Sequence, residues 1–127
     1  MADFTITFDD VNRTANITAT PTPEPTTAVI VAALQRTRVM VEQGWCRGRC
    51  RDGHKVCLIG ALAESTTTAA VAIDGLPGYK VYRDTKNALE AQLPFNYPNL
   101  IAFNDFTNQQ KVLELIDFAI TAQGESK

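Results

Sequence analysis

Several things that would place this chain quickly are missing from it. Charge of one sign is not in excess: the net value is −2 over 127 residues. That argues against a protein built wholly for nucleic acid. Long apolar runs are missing too. The longest, Ala28–Leu34, is far too short to span a bilayer. The first residues, Met-Ala-Asp-Phe-Thr-Ile-Thr-Phe-Asp-Asp, hold neither a basic start nor an apolar stretch. Cysteine is scarce and odd in number, at three. An odd count suits a reducing compartment better than a disulfide framework. These absences together set the expectation of a cytoplasmic protein. Histidine and tryptophan occur once each, and no internal repeat is visible.

What is present is ordinary globular composition, 45% hydrophobic and 20% charged. A chain of this length suits one domain, 1–127, around one core. Phe4, Ile6 and Phe8 alternate with polar residues, the period of a half-buried strand. Thr14–Thr20 can return beside it, so residues 3–20 read as an N-terminal hairpin. Pro21, Pro23 and Pro25 remove backbone donors and favour extended geometry. Residues 21–26 are therefore a stiff connector, and residues 27–123 the helical part.

There, Thr26 or Thr27 caps a helix over roughly 27–43. Ile30, Ala33, Leu34, Thr37 and Val41 share its buried face, and Gly44 stops it. A second helix starts near Cys57 and runs through Leu62. The polar run Ser65-Thr66-Thr67-Thr68 is expected to end or break it. A third helix is capped by Asp84, holds Ala88, Leu89 and Leu93, and stops at Pro94. Pro98 lies in a loop. Thr107 caps the last helix, where Val112, Leu115, Ile116, Ala119 and Ile120 line one face, and Gly124 ends it. The expected fold class is α+β: an N-terminal hairpin followed by about four helices.

The chemistry is concentrated in one run, Gly44–Leu62. It holds every cysteine, the single histidine and tryptophan, and Arg47, Arg49, Arg51 and Lys55. Three readings apply to it. The alternating arginines can converge on a phosphate or carboxylate, with Trp45 available for stacking. Set against this is a solvated hairpin edge, where charge prevents strand pairing. Zinc is the second reading: Cys46, Cys50, His54 and Cys57 are four ligands of suitable type. All four lie within twelve residues, which is unlike the paired spacing of familiar structural sites. Buried or incidental thiols are the simpler account of them. The third reading is a cysteine nucleophile, Cys57 at a helix start, with His54 as base and Asn104 or Asp105 orienting it. Against it, His54 falls in a turn, and Cys57 looks like a residue entering the core.

The motifs around this run resemble a domain family of unknown function from actinobacteria and their phages. The resembling parts are Gly44-Trp45 after a helix, Cys57-Leu58-Ile59-Gly60-Ala61-Leu62 at a helix start, and Phe103-Asn104-Asp105 before the closing helix. The resemblance covers about residues 27–123. Phe103 stands where that family usually has tryptophan. Cys46, Cys50 and His54 are not pattern residues, and the hairpin lies outside the pattern. The resemblance implies a fold and a source but no activity. It also gives the motif an architectural meaning. Gly60 and Ala61 let another helix approach, and Asn104 and Asp105 cap the last helix or brace the Gly44-Trp45 turn.

The leading expectation is a non-enzymatic interaction protein. It meets a protein or a small anionic ligand through Trp45, Arg47, Arg49, Arg51 and Lys55, with no cofactor. The alternatives are a zinc-stabilised nucleic-acid-binding module and a cysteine-dependent hydrolase or transferase.

Overall fold

The computed structural model describes residues 4–6, 17–19, 24–49, 51–72 and 78–125. Two short strands, β1 (Phe4–Ile6) and β2 (Ile17–Ala19), pair antiparallel with Phe4 opposite Ala19. The rest of the expected 3–20 hairpin, and positions 21–23 of the connector, lie outside the described residues.

Helix α1 spans Thr27–Gln43. The Thr26 hydroxyl accepts from Val29 N at 3.3 Å, satisfying one of the donors that every helix start leaves open. Its buried residues are Ile30, Ala33, Leu34, Thr37 and Val41, the stripe set by the 3.6-residue period. Gly44 ends the helix by donating to Met40 O at 3.2 Å. Its φ of 175° is extended rather than left-handed, so the stop is not the usual glycine cap.

The chain then makes a small hairpin in the middle of the sequence. Strands β3 (Arg51–Asp52) and β4 (Lys55–Val56) pair antiparallel around a Gly53-His54 turn. Gly53 adopts φ 65°, which glycine accepts without a Cβ penalty. Trp45 forms a parallel bridge with Val56 on the other side of β4. Cys46 N donates to Val56 O at 3.1 Å, and Val56 N to Gly44 O at 3.0 Å.

Helix α2 (Leu58–Ala72) runs straight through the polar segment expected to break it. The reason lies in the hydroxyls. Ser65 donates to Ala61 O at 2.6 Å, Thr66 to Leu62 O at 2.9 Å, and Thr67 to Ala63 O at 3.0 Å. Each hydroxyl is satisfied by a carbonyl one turn back, so Ser65 and Thr66 sit buried inside the helix.

Helix α3 (Gly78–Glu90) starts six residues before Asp84, which therefore sits inside the helix instead of capping it. The Asp84 carboxylate instead meets Arg83 Nε at 2.8 Å. The helix also stops short of Leu93, in a turn where Leu93 N donates to Glu90 O. A further helix, α4 (Leu100–Phe106), contains Asn104 and Asp105. They were expected ahead of the closing helix, capping it or bracing the Gly44-Trp45 turn; they lie inside α4 and do not cap that last helix. Asn99 caps α4, accepting from Ala102 N at 2.8 Å. Helix α5 (Gln109–Glu125) is capped by Asn108, which accepts from Lys111 N at 2.9 Å. Thr107 is not that cap; its hydroxyl donates backwards to Phe103 O and closes α4.

Five helices are thus present among the described residues. Helix α1 packs between α2 and α5, and α2 packs on α3. Leu34, Leu58, Leu62, Leu89, Leu100 and Ile116 are fully buried where they meet. Each such side chain contributes about 1.5–3 kcal/mol by leaving water. Gln109 ties the start of α5 to the end of α1, donating to Val41 O at 2.8 Å. No helix among the described residues is long and apolar enough to cross a membrane.

Candidate functional site

The junction of the Trp45 loop, α2 and α4 is organised by Asn104, which is 1% exposed. Its carbonyl oxygen accepts from Trp45 Nε1 at 2.7 Å and from Leu58 N at 3.0 Å. Its amide donates to Cys46 O at 3.2 Å and to Asp105 Oδ1 at 3.0 Å. An asparagine side chain offers two acceptor sites and two donors. All four are used. The side chain therefore joins the end of the α1 loop to the first turn of α2, and has no capacity left to orient His54.

Cys57 caps α2. Its carbonyl accepts from Ala61 N at 2.9 Å, and its sulfur accepts from Gly60 N at 3.3 Å. The residue is 7% exposed. His54 lies exposed in the turn of the β3–β4 hairpin. Cys46 is half-buried and its thiol reaches Arg49 O at 3.4 Å. Cys50, the fourth candidate zinc ligand, lies outside the described residues. Among the described residues no three His, Cys, Asp or Glu side chains are grouped as a metal ion requires.

The basic residues divide into two sets. Arg47 donates to Thr107 O, and its guanidinium lies over the Trp45 ring, 5.1 Å from the centroid. Arg51 pairs with Glu64 on α2. Arg49 and Lys55 are exposed, and among the described residues neither meets a carboxylate. Trp45, offered as a stacking surface, is half-buried with its indole N–H held by Asn104. It packs against the core.

Asp105 holds the loop from the other side. Its Oδ1 accepts from Gly48 N at 2.9 Å and from the Asn104 amide. The Gly48 N–H first, then the Asn104 amide, keep its carboxyl below the usual aspartate range. Burial opposes them, and the charge of Arg47 adds to them. Among the described residues Oδ2 carries no hydrogen bond.

Between these groups lies a pocket of about 190 Å³, lined by Gly48, Arg49, Cys57, Ile59, Ile101, Asn104 and Asp105. Sequence reasoning named Arg49, Cys57, Asn104 and Asp105 but missed the two isoleucines that make the apolar wall. Ile101 belongs to α4, which Asn99 ahead of an apolar run signals.

Residues 22–122 match the model of a family of unknown function, DUF6197. The chain belongs to that family. The whole junction, from Trp45 to Asp105, falls inside the DUF6197 span, whereas β1 and β2 fall outside it. No curated protein and no solved structure matches the chain.

Proposed function

We propose that this DUF6197 chain is a small cytoplasmic, non-enzymatic binding protein of actinobacterial or phage origin. It takes a small anionic ligand at the pocket beside the 45–49 loop. The observation that carries this reading is the position of Arg49. Arg49 lines this largely apolar pocket, is exposed, and meets no carboxylate among the described residues. A planar cation beside a mostly apolar pocket suits a carboxylate attached to an apolar body. Arg47 and Arg51 are engaged within the chain and support the loop instead of offering charge. The saturation of Asn104 leaves it no capacity to orient His54 in a Cys57–His54 set. The compartment rests on the odd cysteine count, and the origin on the motif resemblance.

The test is an amide chemical-shift titration with 4-methylpentanoate and, separately, inorganic phosphate. The reading expects 4-methylpentanoate to shift Gly48, Arg49, Ile59 and Ile101, and Arg49→Gln to abolish the response. Silence toward both anions, and toward the corresponding amino acid L-leucine, in the wild-type chain would overturn it.

A further inference from the structure

The pocket presents both signs of charge. Arg49 stands on its rim, and Asp105 lines it as a carboxylate that its hydrogen bonds keep ionised at neutral pH. The two do not pair with each other. Asp105 Oδ1 is used by the fold, while Oδ2 has no hydrogen bond among the described residues. Ile59 and Ile101 supply an apolar wall, and Cys57 also lines the pocket. The volume of about 190 Å³ lies below the roughly 300–1,000 Å³ of sites for drug-sized ligands. That size suits a molecule of few heavy atoms.

We infer that the ligand is a small apolar zwitterion, of the class of a free aliphatic α-amino acid. Its carboxylate meets the Arg49 guanidinium, its ammonium meets Asp105 Oδ2, and its side chain lies against Ile59 and Ile101. A plain carboxylate would leave Asp105 facing an anion with no donor between them. An ammonium on the same ligand removes that repulsion and gives Oδ2 its partner. This inference rests on the anion-binding reading and narrows it.

Three probes separate the two: L-leucine, 4-methylpentanoate, which keeps the carboxylate only, and 3-methylbutylamine, which keeps the amine only. The inference expects L-leucine to bind the wild-type chain at least about tenfold more tightly than either analogue, the scale of one charge-assisted hydrogen bond. Asp105→Asn keeps an oxygen for Gly48 N–H. It is expected to bring L-leucine down to the level of 4-methylpentanoate measured on the same variant. Equal binding of L-leucine and 4-methylpentanoate by the wild-type chain sinks the zwitterion and leaves the anion site standing. Failure of both ligands removes the site as well. The wild-type series needs no variant, so a misfolded Asp105→Asn would not blunt it.

Discussion

Trp45 and Arg49 stand four residues apart in one run, yet they belong to different regimes. Trp45 packs against the core, with its indole N–H bonded to a buried asparagine that has no valence to spare. Arg49 is exposed on a pocket rim, and its guanidinium has no acidic partner among the described residues. The same division runs through the whole segment. Val56, Cys57 and Leu58 are buried, whereas Asp52, His54 and Lys55 are exposed. A dense cluster of reactive residue types is thus mostly architecture, and its binding capacity is confined to what the architecture leaves exposed.

Breaking the architectural side has the largest expected effect. Asn104→Ala strips partners from Trp45 Nε1, Leu58 N and Cys46 O at once. Urea unfolding should show a loss of about 3–5 kcal/mol, the scale of several buried groups left unpaired. Trp45→Phe keeps the ring and removes one donor. It should cost about 1–2 kcal/mol in the same assay.

Thr85 is the counter-example to Asn104. It is fully buried on α3, and among the described residues its hydroxyl has no hydrogen-bond partner. Thr85→Val removes that unpaired group at nearly constant volume. It should raise stability by about 1 kcal/mol, seen as a higher urea midpoint.

Asp105 sits on the boundary between the regimes, and its contribution depends on pH. Its folded pKa is lowered, so its stabilisation is present above the unfolded aspartate value and is lost as pH falls through the folded one. Urea midpoints followed downward from pH 5 should fall more steeply for the wild-type chain than for Asp105→Asn. Equal slopes would mean that the Gly48 contact does not discriminate between the two protonation states. On the exposed side, Arg49→Gln should change stability by no more than about 0.5 kcal/mol while abolishing the 4-methylpentanoate response.

How much of this was legible depended on whether the signal was local. The α1 stripe follows from spacing alone, because one face of a regular helix decides burial there. The link between Trp45 and Asn104 was anticipated as a brace, since an indole and an amide in separate motifs need partners when buried. That Asn104 would use all four of its hydrogen bonds, and from within a helix, depends on tertiary placement that no local pattern encodes. The Ser65–Thr67 segment misled for a related reason. Hydroxyls compete with helix formation in water, but inside the packed α2 they bond one turn back and the competition disappears. The β3–β4 hairpin was weighed only as a solvated basic edge. Its strands have two residues each, too few for an alternating pattern to show. The pocket was invisible for the same reason as the Asn104 hub: Ile59 and Ile101 lie on different helices and meet only in the fold.

The central claim is that the single tryptophan is held by Asn104 against the core. Hydrogen exchange at the Trp45 indole N–H tests it directly, because a chain with one tryptophan gives one indole resonance. The account predicts exchange slowed to a rate comparable with the protected amides of α1 and α5, and loss of that protection in Asn104→Ala. Exchange as fast as in an unfolded peptide, with the helices still protected, would contradict it.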